Sequence, residues 1–391
     1  MHITWVTRSF LDYRIPVYAE LDRLCGNQLT LIYNGEVVPE RCRLKIENIL
    51  GNRAIAMDGE KRLTGQKSAP ISNVQRKGIR IPWQPGLIQA CRKSMPDVCV
   101  SDGFFQWTYA PLWMRFRYHI PHVMCYEPTK YTERYAQCFR TWYRRFACHW
   151  IDEICCNGTL CKEYCQDILH IANDKLHTGN MAADSEQLAT ACQVISEQEI
   201  VDFKKTLNIK GTIFLFVGRL VELKGLKQLL MAWKEASLTN ATFLCVGEGP
   251  QRAELEGFCR THKISAAFVG AIDYDHLPIY YKSSDVFIIP TLQDNWSLVV
   301  PEAMACGLPI ACSQYNGCWP ELVTPENGWV FDPLNLNDTV QMLQNIHKKP
   351  KLELQQMGKC SEQIVSRHTP ATAAQSIYEA CLKACSIKEI S

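Results

Sequence analysis

The chain has 391 residues, of which 47% are hydrophobic, and this length suits two domain cores better than one. Its formal net charge of +2 hides an imbalance, because the first 150 residues contain 22 Lys and Arg against 12 Asp and Glu, whereas the remainder contains 20 against 28. The N-terminus lacks the basic start of a secretory signal, and no apolar run reaches the ~20 residues that span a bilayer, so we expect a cytoplasmic protein.

Short apolar runs alternate with amphipathic segments over most of the chain, a pattern typical of strands and crossover helices in a parallel sheet covered on both faces. In the first half, the runs predicted to be buried strands are residues 2–6 (HITWV), 29–33 (LTLIY), 97–101 (DVCVS), 121–126 (PHVMCY) and 153–157 (EICCN). Residues 41–85 are predicted to hold loops or an edge hairpin.

In the second half, each predicted strand ends at a Gly, Pro or polar turn. These strands are residues 212–218 (TIFLFVG), 241–247 (ATFLCVG), 266–270 (AAFVG), 285–290 (DVFIIP) and 308–313 (LPIACS). The polar segment 181–190 marks a boundary. We therefore predict an α/β fold of two doubly wound parallel-sheet (Rossmann-like) domains, at 1–185 and 186–365, with a C-terminal helix in 366–391 that returns to the first domain.

Ligands of open α/β sheets bind beyond the carboxyl ends of the strands. One motif there is FVGRLVELKG, in which a strand ends at Gly218, Arg219 follows at once, and Lys224 comes five residues later. Two cations on one strand-to-helix loop can clamp a diphosphate, and the glycines allow close backbone approach. The alternative is a solvated loop with ordinary surface charges.

The second motif is PTLQDNWSLVVPEAMACGLPIACS, where two acids, Asp294 and Glu302, flank a predicted helix start. Free backbone N–H groups at residues 296–299 would bind an anion. Glu302 could accept hydrogen bonds from a ribose diol, and Asp294 could hold hydroxyls of a sugar. The alternative for Glu302 is an acid that stabilises the helix dipole, and the alternative for Asp294 is a helix cap.

The run from Gly218 to Asp332 resembles the donor domain of the family 4 retaining glycosyltransferases (glycosyl transferases group 1) of the GT-B fold. The matching elements occur in the order GRLVELKG, GEGP, FVGAI, an acid-x7-acid element running into EAMACGLPI, and GCWPELV with ENGWVF. The resemblance implies two domains facing an interdomain cleft. The domain at 1–185 would bind the acceptor, and the domain at 186–365 would bind the nucleotide-sugar donor.

The resemblance also implies roles for particular residues. Arg219 and Lys224 would hold the donor diphosphate, and Glu302 would hold the ribose. The transferred sugar and its phosphate would meet Asp294 and the backbone of Asn295, Trp296, Ser297 and Leu298. Gly218 would line the donor site, and the FVGAI segment, from Val269 to Ile272, would edge the base. The family usually has glutamate where this chain has Asp294, and a small residue with Phe-Gly where it has Asn-Trp.

The resemblance is weaker in the first half. The segment TRSFLDYRIPVYAEL stands where family members often have a glycine-rich loop, and it places Arg8, Asp12 and Arg14 near the expected cleft, on the acceptor side. Many members place a histidine after the fourth strand, and spacing puts Glu127 there. The alternative for Glu127 is a loop acid paired with a neighbouring Arg or Lys.

Other candidate sites are less favoured. The 20 cysteines lie largely in apolar runs, where a small hydrophobic residue would fit equally well, so we expect reduced thiols. Four of them are close in sequence, at Cys155, Cys156, Cys161 and Cys165. They repeat no strict C-x2-C pair and fit a strand face and a helix, so we predict no metal site. No G-x-G-x-x-G follows the first strand, which disfavours a dinucleotide oxidoreductase.

The predicted function is a retaining glycosyltransferase that moves a sugar from a UDP- or GDP-linked donor to a saccharide or lipid-linked saccharide, in bacterial-type polysaccharide or glycolipid assembly. The donor is a substrate, and no cofactor or metal is expected, because Arg219, Lys224 and the helix start can offset the charge of the leaving diphosphate. The alternatives are a nucleotide-sugar epimerase on the same fold and an inactive nucleotide-sugar-binding subunit.

Basic residues interleaved with aromatics between Met114 and Arg145 raise a further hypothesis, that the N-terminal domain docks peripherally on an anionic membrane. The alternative is a solvated basic face that offsets the acidic second half. No nucleic-acid-binding motif accompanies the charge, so we expect no nucleic-acid partner.

Overall fold

The computed structural model describes residues 1–62 and 82–388, which form two α/β domains, each built on one parallel sheet. The N-terminal strands are β1 (Ile3–Val6), β2 (Leu29–Asn34), β3 (Ala54–Met57), β4 (Lys61–Arg62), β5 (Pro82–Trp83), β6 (Val98–Asp102), β7 (His122–Tyr126), β8 (Glu153–Cys156) and β9 (Leu176–Thr178). The N-terminal helices are α1 (Ile15–Leu24), α2 (Glu40–Leu50), α3 (Leu87–Lys93), α4 (Tyr109–Tyr118), α5 (Cys138–Ala147) and α6 (Thr159–Asp167).

The N-terminal sheet has the order β3-β2-β1-β6-β7-β8-β9, and all of its pairs are parallel. From β1 the chain first adds β2 and β3 on one side and then adds β6 to β9 on the other side, so the strand order reverses between β1 and β6. The carboxyl ends of these two strands therefore open a crevice that loops can line. The central strands of this sheet are unbroken apolar runs in the sequence because helices cover both faces of the sheet.

The prediction for residues 41–85 was incomplete. The apolar residues Cys42, Ile46 and Leu50 recur every four positions and bury one face of α2, and β3 adds an edge strand beside β2. The edge strand is short and half-buried, which weakens the apolar pattern by which strands are recognised. The strands β4 and β5 pair in antiparallel fashion, and residues 63–81 of this segment lie outside the described residues.

The C-terminal domain repeats the plan. Its strands are β10 (Thr212–Val217), β11 (Ala241–Val246), β12 (Ala266–Gly270), β13 (Val286–Ile289), β14 (Ile310–Ser313) and β15 (Gly328–Phe331). Its helices are α7 (Glu186–Gln193), α8 (Glu197–Thr206), α9 (Leu226–Ala236), α10 (Arg252–Thr261), α11 (Leu277–Lys282), α12 (Val299–Ala305), α13 (Trp319–Leu322), α14 (Leu336–His347) and α15 (Lys351–Val365).

The C-terminal sheet has the order β12-β11-β10-β13-β14-β15, and the pairs that β10 makes with β11 and β13 are parallel. The chain adds strands first on one side of β10 and then on the other, so the strand order reverses between β10 and β13. All five predicted strands of this half are present, and the structure adds the edge strand β15. Two doubly wound parallel sheets therefore confirm the predicted fold class.

A final helix, α16 (Pro370–Lys388), leaves the C-terminal domain and packs on the N-terminal one. Its buried face consists mostly of small residues, among them Ala373, Ala380 and Ala384, which share a core cluster with residues of α1. Small side chains let the two helices approach closely. Within residues 1–62 and 82–388, no helix is long and apolar enough to cross a bilayer.

Candidate active site

The loops that follow β10 and β13 lie side by side, because these strands pair at the point where the sheet order reverses. Glycines make this contact possible. Gly225 has φ +69°, and a Cβ atom there would lie 1.9 Å from the carbonyl oxygen of Pro290. A Cβ atom on Gly247 would lie 1.9 Å from the carbonyl oxygen of Gly218. The loop after β10 is therefore pressed between the loops of both neighbouring strands, which brings Lys224 to the end of β13.

Lys224 and Asp294 form an ion pair in which Nζ lies 2.6 Å from Oδ2. The hydroxyl of Ser297 donates to the same oxygen at 2.6 Å, and the N–H of Trp296 donates to Oδ1 at 3.2 Å. Both charged side chains are about one-fifth exposed, so water still reaches them. The pair is consequently ordered but open on one side. Arg219 is exposed, and no ion pair involves it among the residues that the structure describes.

Asp294 orders the loop before the helix rather than capping the helix itself. The helix α12 begins at Val299, five residues after Asp294, and its N-cap residue is Leu298. The carboxylate of Asp294 accepts the N–H of Trp296, three residues before the helix. The helix-cap alternative for Asp294 therefore does not describe its contacts.

The predicted set of free N–H groups at residues 296–299 is too large. The N–H of Trp296 donates to Asp294, and the N–H of Ser297 donates to Asn316 Oδ1 at 3.3 Å. The N–H groups of Leu298 and Val299 have no acceptor in the described part of the chain. Two N–H groups, not four, are therefore available to a ligand at this helix start.

Glu302 lies in the first turn of α12, and Oε2 accepts a hydrogen bond from the hydroxyl of buried Tyr281 at 3.2 Å. Burial raises the pKa of the Glu302 carboxyl to about 7, although the hydrogen bond from Tyr281 lowers it. An acid whose main role is to stabilise a helix dipole would have a lowered pKa. The electrostatics of Glu302 thus argue against the helix-dipole alternative.

The remaining donor-side residues frame the same end of the sheet. Val269 is the penultimate residue of β12, Ile272 follows that strand, and both are half-buried against the C-terminal core. Trp296 is buried and faces the other domain, since a Cβ atom on Gly158 would lie 2.8 Å from its ring. The bulky residue that departs from the family pattern is therefore part of the interdomain contact.

Glu127 follows β7 directly, is half-buried, and lies near enough to Asp294 of the C-terminal domain for the two charges to interact. Burial raises the pKa of its carboxyl; Arg14 opposes this, whereas Asp102 and, across the cleft, Asp294 add to it. No cation lies within ion-pair distance of Glu127 among the described residues, so the alternative of a loop acid paired with a neighbouring Arg or Lys does not hold.

The three predicted acceptor-side residues do not stay together. Arg14 is buried, donates to the carbonyl oxygen of Asn180 at 2.6 Å and lies 3.6 Å from the carboxylate of Asp102. Asp12 instead accepts from Arg41 and Lys45 of α2, both at 2.9 Å. Burial opposes ionisation of Asp12, but these two hydrogen bonds outweigh it and lower the pKa to about 2. Its charge is thus already neutralised within the N-terminal domain.

Arg8 makes a two-point ion pair with Glu60, at 2.7 and 2.8 Å. The sequence did not single out Tyr13, which packs against the C-terminal core from the N-terminal side. Burial, and then the nearby Glu127, raise the pKa of Tyr13 to about 12. Asp102 is the last residue of β6, and Tyr13 lies in the segment that joins β1 to α1, so their place at the carboxyl ends of these strands was the available signal.

The two domains touch beside the ion pair of Lys224 and Asp294. Asn157, directly after β8, donates through Nδ2 to the carbonyl oxygen of Asn295 at 2.8 Å. Gln293 Nε2 donates to the carbonyl oxygen of Thr132 at 3.3 Å. The carboxyl ends of the two sheets therefore face each other, and the candidate site lies in the cleft between them.

Comparison with known proteins agrees with this geometry. Residues 197–363 match the family Glycosyl transferases group 1. An uncharacterized glycosyltransferase of Methanocaldococcus jannaschii is 33% identical over 145 residues, covering 35% of this chain and 37% of that protein. The sulfoquinovosyl transferase SQD2 of Arabidopsis thaliana is 24% identical over 319 residues, covering 78% of this chain and 60% of that protein. The chain thus spans less than two-thirds of either relative.

The fold is shared more widely than the sequence. The crystal structure of Anabaena HepE in complex with UDP superimposes with a TM-score of 0.71 at 13% identity, covering 97% of this chain and 99% of that one. The range that matches the family includes Lys224, Asp294 and Glu302, and the N-terminal domain, outside this range, completes the two-domain architecture. Residues 197–363 therefore match the glycosyl transferases group 1 family, and the two domains together have the GT-B fold.

Proposed function

We propose that this protein is a retaining glycosyltransferase that moves a sugar from a nucleotide-sugar to a hydroxyl acceptor. The main support is the ion pair of Lys224 and Asp294, 2.6 Å apart at the switch point of the donor sheet, with Glu127 facing it from the other domain. A cation and two acids on opposite walls of one cleft suit a reaction in which a diphosphate leaves and hydroxyls are bound.

On the donor side, the proposal assigns the leaving diphosphate to Lys224, exposed Arg219 and the two free N–H groups of Leu298 and Val299. Negative charge grows on this diphosphate in the transition state, and fixed positive groups stabilise it there more than in the ground state. Lys224 would exchange part of its contact with Asp294 for a phosphate oxygen. The proposal includes no divalent cation, because these groups can offset the charge.

The nucleoside and the sugar would occupy the positions on either side of the diphosphate. Glu302 would accept hydrogen bonds from the ribose hydroxyls, and the edge from Val269 to Ile272 would contact the base. Asp294 would hold hydroxyls of the transferred sugar. A uridine nucleotide is the first donor to test, since the Anabaena relative in fold contains UDP.

On the acceptor side, Glu127 is the free acid that faces the sugar position. Its raised pKa lets this carboxyl keep its proton at higher pH than an ordinary surface glutamate does, so that it can donate a hydrogen bond to a bound hydroxyl. In the proposed front-face reaction, the acceptor oxygen attacks on the side of the leaving group, whose phosphate oxygen takes the acceptor proton. The proposal assigns no protein nucleophile.

We propose further that the acceptor is a saccharide or lipid-linked saccharide in polysaccharide or glycolipid assembly, reached while the N-terminal domain rests on an anionic cytoplasmic membrane surface. The aromatic side chains exposed by a third or more on and around α4 and α5 are Trp113, Phe116, Tyr118, Tyr135, Phe139, Trp142 and Phe146. Between these two helices lies an apolar groove of about 290 Å³, bordered by Trp113, Phe116, Phe146 and Trp150.

The basic residues of this face divide into two groups. Arg115 pairs with Asp152 and buried Arg144 pairs with Glu133, at 2.9 and 2.8 Å, so neither can contact lipid headgroups freely. The other basic residues of this face, Arg117, Lys130, Arg134, Arg140 and Arg145, are all at least partly exposed. Cations around exposed aromatics are the features that attach a protein to an anionic leaflet.

The decisive experiment incubates the protein with a panel of UDP- and GDP-sugars, with and without saccharide acceptors, and follows products by mass spectrometry. Transfer to an acceptor with retained anomeric configuration is expected, and it should persist in the presence of EDTA. Donor conversion without an acceptor would indicate an epimerase. Binding of nucleotide-sugar without any product would indicate an inactive binding subunit.

A further inference from the structure

The fold gathers three cysteines that the sequence spacing did not favour as a metal site. Cys156 ends β8, and Cys161 and Cys165 lie one turn apart on α6. All three are fully buried, and their sulfur atoms all lie within 4.8 Å of one another. The sulfurs of Cys156 and Cys165 are 3.9 Å apart. A strand end and a helix face thus direct three thiols at one point.

These separations suit a single metal ion. Four thiolates at about 2.3 Å from a tetrahedral zinc ion lie roughly 3.8 Å from one another, close to the separation of Cys156 and Cys165. A shift of less than about 1 Å would bring the widest pair of the cluster to the same separation. The alternative, three cysteines used as small hydrophobes, explains their burial in an apolar cluster with Met124 and Ile154 but not their convergence.

The ligand set restricts the choice of metal. Only sulfur atoms make up the group, and no histidine or carboxylate joins it within the described residues. Soft thiolates select zinc or monovalent copper, whereas magnesium, calcium and manganese require oxygen. A buried three-sulfur site therefore matches a thiophilic ion of low coordination number.

We propose that Cys156, Cys161 and Cys165 bind one thiophilic metal ion, Zn²⁺ or Cu⁺, that joins the end of β8 to α6. Binding replaces thiol protons, which pass to solvent, by sulfur–metal bonds. The inference does not depend on the proposed glycosyl transfer.

The position of the cluster connects it to the domain interface. Asn157, whose side chain holds the carbonyl oxygen of Asn295, is the next residue after Cys156. The N–H of Thr159, at the start of α6, donates to Glu321 of the C-terminal domain. A metal ion that holds β8 against α6 would therefore steady the two residues through which this edge of the N-terminal domain contacts the donor domain.

The test uses the full-length protein, purified with reduced thiols under anaerobic conditions and loaded separately with Zn²⁺ or buffered Cu⁺. Metal content after desalting and the midpoint of thermal unfolding are measured for the wild type and for Cys161→Ser/Cys165→Ser. The matched control is Cys91→Ser/Cys99→Ser, which changes two buried cysteines of the same domain outside the cluster.

We expect one equivalent of metal in the wild type and in the control, and loss of that equivalent in the cluster variant. A chelator should lower the midpoint of thermal unfolding of the wild type and of the control variant, and should leave that of the cluster variant unchanged. Absence of bound metal in the wild type, equal retention by the cluster variant, or a Cys156–Cys165 disulfide formed without metal uptake would each overturn the proposal. If the double variant does not fold, Cys165→Ala replaces it, with the same expected loss.

Discussion

Replacing Glu302 by Gln is expected to stabilise the protein above pH 7 while weakening nucleotide binding. Burial raises the pKa of this carboxyl from its ordinary 4.5 to about 7. In the unfolded chain the proton leaves near pH 4.5, so between these two values the folded protein binds more protons than the unfolded chain, and stability falls as pH rises. Since one pKa unit corresponds to about 1.36 kcal/mol, the carboxylate of Glu302 costs about 3 kcal/mol above pH 7.

Gln at this position has no charge to desolvate. The difference in unfolding free energy between Glu302→Gln and the wild type should therefore grow by about 3 kcal/mol from about pH 5 to about pH 8.5. Urea unfolding at a series of pH values measures this difference. The matched control is Glu40→Gln, because Glu40 also lies in the first turn of a helix but is exposed; its difference should stay within about 0.5 kcal/mol. Parallel stability curves for Glu302→Gln and the wild type would refute the burial argument.

The same variant tests the ribose assignment separately. A hydrogen bond to a charged group is worth roughly 1–3 kcal/mol, so UDP or GDP should bind Glu302→Gln more weakly by that amount above pH 7. For the wild type, affinity should increase as pH rises towards 7, since the free carboxyl must lose its proton to accept both ribose hydroxyls. Isothermal titration calorimetry gives both quantities. Unchanged affinity in the variant would refute the role at the ribose, whatever the stability curves show.

Three further outcomes are expected. Lys224→Ala should lower turnover by about 100- to 1000-fold with little change in acceptor KM, measured by steady-state kinetics, whereas Lys227→Ala, which removes an exposed neighbouring lysine paired with Glu254, should not. Asp294→Asn should impair binding of the nucleotide-sugar in calorimetry and spare the free nucleotide; equal losses for both ligands would contradict its place at the sugar. Co-sedimentation with vesicles should rise with anionic lipid, fall with salt, and drop in Trp142→Ser/Arg145→Ser; indifference to lipid charge would refute docking on a membrane.

Much of this fold could be predicted because buried parallel strands are continuous apolar runs that end at glycine or proline. The five strands predicted in the C-terminal half were all found in this way, with boundaries within two residues, whereas the edge strand β15 was not predicted. Strand β3 was missed because a short edge strand buries little and its apolar pattern is weak. Helix α2, which precedes it, was missed as well.

The candidate site was predicted to the level of single loops and no further. The motifs placed Lys224, Asp294 and Glu302 at strand ends, because residue types and spacing along one loop are local properties. Lys224 meets Asp294, 70 residues away, because β10 pairs with β13. No local sequence pattern predicts which strands pair.

Burial and pairing were likewise decided by the tertiary structure. The sequence counted Arg144 among the basic residues of a surface and Asp12 among those of the cleft, but the folded chain buries the first against Glu133 and pairs the second with α2. The pKa of Glu302 and the convergence of Cys156, Cys161 and Cys165 have the same origin. Sequence determined which residues stand at the ends of strands, and the packing of distant segments determined which charges are neutralised, desolvated or left free to act.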